Sequence, residues 1–264
     1  MKIGFIGGGN MAEAMIKGMT SHGLKDIIVS EPTQERRQYL NKTYDTATTA
    51  SNREVVESAE IIILAVKPQN MDTVINEISF AVTENKTIVS IAAGIKLDYL
   101  TSKLNSKKII RVMPNTPALV QEGMSVMSLC ECFSDHAVSV VREILMSIGK
   151  VITLPEKYMD AVTAVSGSGP GFIAFFIEAI IDSAIKMGLS EDDARMLSVQ
   201  TAIGTARLLD TGMSPSRLRE MVTSPGGTTE AGLRTLKHKG LNDTVLAAMS
   251  AARDRSYELG RKSD

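Results

Sequence analysis

Three short stretches hold residues whose types and spacing could do chemistry. The first is Gly7-Gly8-Gly9-Asn10-Met11-Ala12, set between an apolar run at 2–6 and helical periodicity through Met15, Ile16 and Met19. The spacing Gly7-x-Gly9-x-x-Ala12 is that of a dinucleotide-binding turn. Gly7 permits the tight bend, Gly9 lets a pyrophosphate approach the backbone, and Ala12 lets helix pack on strand. The strand at 27–30 then ends in Glu31. That acid lies about 20 residues past the fingerprint, where a carboxylate accepts from the ribose 2′-OH of NAD. Arg36 and Arg37, one helical turn on, could reach a 2′-phosphate instead, so NADH and NADPH both stay open.

The second stretch is Ser224-Pro225-Gly226-Gly227-Thr228-Thr229-Glu230. Pro225 and the glycine pair stop the preceding helix. Thr228 or Thr229 is expected to cap the next one, with Glu230 adding negative charge to its first turn. Backbone N–H groups and two hydroxyls at the positive end of a helix suit an anion, here a carboxylate. The same residues also read as a capped helix start with no ligand. The third stretch, Ser166-Gly167-Ser168-Gly169-Pro170-Gly171, is a second Gly/Ser loop at a helix start. Neither loop carries a His or Asp, and Glu230 is the one Glu. Chemistry here must rest on positioning rather than on a strong acid.

These stretches need elements to hold them. Buried parallel strands are predicted at 61–66, ending in Lys67-Pro68-Gln69, at 87–91, ending in Ala92-Ala93-Gly94, and at 108–112, ending in Met113-Pro114-Asn115-Thr116-Pro117. Ligands of open α/β sheets bind beyond strand C-termini, which puts Lys67, Gln69, Ala93, Asn115 and Thr116 where a nicotinamide would lie. A strand at 124–129, a helix at 136–147 and a strand at 150–154 complete this part. Past 154 only helical patterns remain. The expected fold is an α/β Rossmann domain with a mostly parallel sheet over 1–154, then an all-α domain over 155–264. Residues 172–185 are apolar around most of the helix circumference, which predicts a second copy of the chain as cover and hence a homodimer.

The chain has 264 residues, 44% hydrophobic, with net charge −1 and a pI near 6.3. That balance gives no reason to expect nucleic acid or an anionic membrane as partner. Cys130 and Cys132 are too few and too close for a disulfide framework, and with three histidines they make no metal set. Both point to a reducing, cytoplasmic setting. No signal peptide is expected, and the apolar segment 172–187, carrying Glu178, Asp182 and Lys186, reads as a buried helix short of a membrane span.

Read in order, the first stretch, Ala65-Val66-Lys67-Pro68-Gln69, Ala92-Ala93-Gly94-Ile95, Arg111-Val112-Met113-Pro114-Asn115-Thr116-Pro117, Ser166-Gly167-Ser168-Gly169-Pro170 and Thr223-Ser224-Pro225-Gly226-Gly227-Thr228-Thr229 resemble the pyrroline-5-carboxylate reductase family over the whole chain. The resemblance implies hydride transfer from NADPH or NADH to the C=N carbon of a cyclic imine, 1-pyrroline-5-carboxylate, giving L-proline as the last step of its biosynthesis. It implies a Rossmann domain followed by a helical dimerisation domain, with dimers that often build decamers. It places the pyrophosphate on Gly9, Asn10 and Met11, and Asn52 on the adenosine ribose. Ala65, Lys67 and Pro68 would border the nicotinamide ribose, with Ala93 and Asn115 near the ring. The substrate carboxylate would sit on the amides of Gly226, Gly227, Thr228 and Thr229, with Ser166 also on the substrate and the Thr229 hydroxyl facing the imine nitrogen as the catalytic group. Two departures from the pattern stand out. Glu31-Pro32 stands where family members often have an Asn/Ser-Arg pair that reads the 2′-phosphate, and Gly171 replaces an alanine. Alternatives are a β-hydroxyacid-type dehydrogenase, for which Lys186 is the candidate acid–base group, and a non-catalytic NAD(P)-binding protein.

Overall fold

The computed structural model describes residues 1–130 and 136–261. It forms two compact units: Met1–Ser168 with Ala252–Asp264, and Gly169–Ala251.

The first unit is built on one eight-stranded sheet. Its strands are β1 (Ile3–Ile6), β2 (Ile27–Ser30), β3 (Ala47–Thr49), β4 (Ile61–Leu64), β5 (Thr87–Ser90), β6 (Ile109–Met113), β7 (Gly123–Leu129) and β8 (Gly149–Thr153), in the order β3-β2-β1-β4-β5-β6-β7-β8. The first six run parallel; β7 is antiparallel to β6, and β8 is parallel to β7. The chain order reverses between β1 and β4, and that switch point is where such sheets open a ligand crevice.

Alternation along the strands explains the layers. Ile3, Phe5, Ile61, Ile63, Val89 and Ile110 face one side of the sheet, against α1 (Asn10–Ser21) and a helix at His136–Met146. Ile6, Ile62, Leu64, Ile88 and Ile109 face the other, against helices at Asn52–Ser58, Met71–Ile78 and Leu97–Leu104. All four residues of β4 are completely buried. Each such side chain contributes about 1.5–3 kcal/mol of transfer free energy, and this continuous Ile/Leu run is what a strand covered on both faces requires. The helix that follows β2, α2 (Gln34–Tyr44), buries only Leu40 and keeps a polar outer face.

After β8 the chain makes a short helix at Met159–Val162 and a π turn at Thr163–Gly167, closed by Ser168 N–H to Thr163 C=O at 2.8 Å. The Gly/Ser stretch expected as an open loop is therefore a widened helical turn. Pro170 does not interrupt it, because it falls in the first turn of the next helix, where a missing N–H costs nothing. The second unit holds helices at Gly169–Lys186, Glu191–Asp210, Pro215–Met221 and Thr228–His238, and the start of Leu241–Arg261. Its interior is scant: Gly169, Ala194 and Ser198 are its buried residues. The last turns of Leu241–Arg261 belong to the first unit, where Ser256 donates to Asp160 at 2.7 Å. Strands thus stop at Thr153, while the compact units divide at Ser168.

Candidate active site

At the switch point, Gly7 holds φ +97°, a conformation that favours glycine, and its N–H donates to Ser30 C=O at 2.9 Å. A Cβ there would lie 2.7 Å from the Ala65 carbonyl oxygen, which packs β1 against the end of β4. Gly9 is the N-cap of α1, and a Cβ on it would meet nothing within 4 Å. The first intrahelical bond is Glu13 N–H to Gly9 C=O at 2.9 Å, so the amides of Asn10, Met11 and Ala12 lie ahead of it. Open space over Gly9 beside unpaired helix-start donors fits a pyrophosphate.

The other residues expected at the cofactor line this same C-terminal edge. Glu31 accepts from Gly8 N–H and from Thr33 N–H, each at 3.0 Å. Asn52 accepts from the Ser30 hydroxyl at 2.6 Å and donates to Glu77 at 2.6 Å. Lys67 is exposed just before the turn at Pro68–Asn70, and Ala93 is half-buried past β5. Asn115, after β6, has a tying role that its position did not suggest. Its Oδ1 accepts from Met124 N–H at 2.8 Å, and its Nδ2 donates to the Ser166 carbonyl at 3.2 Å and hydroxyl at 3.3 Å. The amide thus joins β6, β7 and the π turn, and brings the expected substrate residue Ser166 beside the expected ring residue.

Around Glu31 lies a cluster that sequence spacing did not show. Arg36 donates through Nε to Gly8 C=O at 2.6 Å and through Nη2 to Glu13 at 2.5 Å. Glu13 also accepts from the Tyr39 and Tyr44 hydroxyls, each at 2.8 Å. Burial alone would raise the Glu13 carboxyl, but the hydrogen bonds from Tyr44, Arg36 and Tyr39 outweigh it and hold it below the usual carboxylate range. Burial first, and then the bond to Glu13, push the Tyr44 hydroxyl up. A glutamate one turn into α1 and tyrosines late in α2 are 26 and 31 residues apart, so only the fold joins them.

In the second unit, the helix at Thr228–His238 is capped by Gly227, with no side-chain cap. The expected threonine cap is thereby corrected: Gly226 at φ +73° turns the chain one residue early, which puts Thr228 and Thr229 inside the first turn. Both hydroxyls are left free of a capping role. Glu230 reaches back and accepts from Gly226 N–H at 2.6 Å, and Gly227 N–H donates to Ser224 C=O at 2.9 Å. Two of the four amides expected on a carboxylate are therefore engaged within the chain, and those of Thr228 and Thr229 remain at the helix start. Thr228 is exposed and Thr229 half-buried. Lys186 stands exposed in the last turn of its helix, where a cation suits the helix C-terminus. Among the described residues there is no cluster able to hold a metal ion. Cys130 is half-buried, and Cys132 lies outside the described residues.

Comparison with known proteins reaches both ends of the chain. Residues 156–259 match the model for pyrroline-5-carboxylate reductase dimerisation, and residues 2–94 match that for NADP oxidoreductase, coenzyme F420-dependent. A pyrroline-5-carboxylate reductase of Synechocystis sp. is 39% identical over 99% of each chain, and that of Pisum sativum is 38% identical over 97% of this chain and 95% of its own. Among solved structures, a pyrroline-5-carboxylate reductase from Coxiella burnetii superposes with TM-score 0.92 at 32% identity, covering 98% of each chain. The Plasmodium falciparum pyrroline carboxylate reductase with NADP bound gives TM-score 0.88 at 31% identity, again over 98% of each. At this identity over nearly the full length of its relatives, the chain belongs to the pyrroline-5-carboxylate reductase family.

Proposed function

We propose that this protein reduces 1-pyrroline-5-carboxylate to L-proline with NADH or NADPH, the last step of proline biosynthesis. The observation that carries this reading is full-length identity to named reductases in a chain that keeps the open glycine turn at its sheet switch point. When bound, the reduced nicotinamide supplies a hydride to the C=N carbon. Gly7, Gly9, Asn10 and Met11 hold the pyrophosphate; Glu31 and Asn52 hold the adenosine ribose; Ala65, Lys67, Pro68, Ala93 and Asn115 border the nicotinamide half. Substrate contacts are Ser166, Gly226, Gly227, Thr228 and Thr229, with the helix-start amides of Thr228 and Thr229 on the carboxylate. The Thr229 hydroxyl faces the imine nitrogen and donates to the lone pair that hydride delivery to the C=N carbon creates there. A cyclic imine is basic enough to arrive partly protonated, so the chain needs only to orient it and exclude misaligned poses.

Residues 1–154 are proposed as the dinucleotide domain and 155–264 as the dimerisation and substrate domain. Support for a homodimer is the thin interior of the second unit, with Ile173 62%, Phe175 73% and Phe176 50% exposed. The helical stretch 156–186 is long and apolar enough for a membrane span; its most apolar 18-residue window has mean hydropathy 1.6 and is 11% buried. Joined to the turns before it, this segment is longer than the 172–187 run expected to fall short of a span. Its place inside the dimerisation match favours a second chain as its cover, in a cytoplasmic protein. Assembly of dimers into decamers is the finer form of this reading. Light scattering distinguishes them: about 57 kDa for a dimer of the 28.4 kDa chain against about 280 kDa for a decamer. The function is tested by following NADH and NADPH absorbance with pyrroline-5-carboxylate added; absence of imine-dependent oxidation with both would overturn it.

A further inference from the structure

We infer that this chain selects NADH over NADPH, through Glu31 pinned at the end of β2 and Glu13 withholding Arg36 from the cofactor. The inference rests on the dinucleotide site proposed above and deepens it to one cofactor.

Glu31 is held at both carboxylate oxygens. One carboxylate oxygen accepts from Gly8 N–H and the other from Thr33 N–H, so the group is clamped between the glycine turn and the start of α2. Both oxygens keep a further lone pair for ribose hydroxyls. A 2′-phosphate brings between one and two negative charges into that place, against a carboxylate that two backbone amides hold there. A chain that accepts NADPH needs a cation there to offset the repulsion.

The two arginines that follow Glu31 in α2 are already held by bonds within the chain. Arg36 is held at Nε by Gly8 C=O and at Nη2 by Glu13, and its guanidinium lies 5.1 Å from the centre of the Tyr39 ring. Its charge is matched by Glu13, which the hydroxyls of Tyr39 and Tyr44 keep in position. Arg37 turns its Nη1 onto the carbonyls of Glu31 and Pro32, at 2.6 and 2.8 Å. Drawing Arg36 onto a 2′-phosphate would break its bonds to Gly8 and Glu13 and leave a half-buried Glu13 without its ion pair. Glu13 touches no cofactor atom in this account; it is a positioning residue that acts through Arg36.

Direct titration of the full-length protein with NADH and with NADPH, followed by calorimetry, tests this without any imine. The expected result is NADH binding at least tenfold tighter, a difference of about 1.4 kcal/mol. Glu31→Gln keeps the shape and removes the charge; it should narrow that ratio chiefly by tightening NADPH. Adding Glu13→Gln to Glu31→Gln should narrow it further as Arg36 is released, while Arg37→Ala in the natural background should leave the ratio within about threefold. Equal binding of the two cofactors, or tighter NADPH binding, by the natural protein overturns the inference. So does a Glu31→Gln protein, folded by circular dichroism, that loses both cofactors in equal proportion. A chain that favours NADH yet oxidises it with no imine dependence sinks the proposed reaction and leaves this inference standing. Imine reduction with an NADPH preference does the reverse.

Discussion

Two glycines two residues apart should fail for different reasons when each is changed to alanine. Gly7 sits at φ +97°, and its new Cβ would lie 2.7 Å from the Ala65 carbonyl oxygen and 3.0 Å from its carbon. The left-handed backbone costs about 1–2 kcal/mol for a residue with a Cβ. The collision is with backbone of β4's end, which cannot yield as a flexible side chain would. Gly7→Ala should therefore lose about 2–4 kcal/mol of stability. Gly9 has an extended backbone at φ −70° and ψ −176°, with open space where the Cβ would go. Losing glycine at an N-cap costs up to about 1 kcal/mol, and the stiffer unfolded chain returns about 0.4–1 kcal/mol. Gly9→Ala should thus unfold in urea within about 1 kcal/mol of the natural protein, but bind NADH at least tenfold more weakly, because the methyl fills the space a pyrophosphate would use. Urea denaturation and a calorimetric NADH titration on both variants decide the matter. Unchanged NADH affinity in Gly9→Ala, or a loss of stability as large as that of Gly7→Ala, would refute the view that Gly9 is there for the ligand and Gly7 for the fold.

Thr229→Val should lower kcat by about 10²-fold, the low end for a positioned acid–base group, with little change in NADH affinity; an unchanged kcat removes the hydroxyl from the mechanism. Phe175→Glu, at a side chain 73% exposed in the single chain, should shift the light-scattering mass to that of a monomer, since a buried unpaired charge opposes association; a mass unchanged from the natural protein would show that this helix face is not the interface. Glu156 accepts from the buried Arg111 guanidinium at 2.9 Å and from Leu97 N–H at 2.8 Å. Glu156→Ala strands both donors and should cost about 3–5 kcal/mol in urea denaturation, whereas a loss under 1 kcal/mol would mean that water or a neighbour replaces the carboxylate.

The parallel sheet was legible because its information is local. Runs such as Ile61-Ile62-Ile63-Leu64 need burial on both faces, and all four are buried. The glycine fingerprint likewise combines its own steric needs with the strand before it and the helix after it. What stayed hidden depends on partners far along the chain. Thr48 and its neighbours in β3 carry no apolar signal, because that strand lies at the sheet edge. Asn115 reads as a turn residue until Met124 and Ser166 are seen to share its amide. The Gly/Ser stretch at 166–171 carries local helix-breaking cues, yet Ser166 and Gly167 end a π turn and Gly169, Pro170 and Gly171 open the next helix. Thr228 and Thr229 offer side-chain oxygens for a cap, but the αL turn at Gly226 fixes the helix start one residue earlier, at Gly227. The Glu13–Arg36 pair joins two helices through tertiary packing alone.

Product analysis decides whether this chain reduces a cyclic imine acid with a nicotinamide cofactor. Purified full-length protein is mixed with NADH and 1-pyrroline-5-carboxylate, absorbance is followed, and the product is identified by chiral chromatography. One L-proline should form for each NADH oxidised, with no oxidation when the imine is left out. Oxidation without proline, or no oxidation with NADH and NADPH alike, would contradict it.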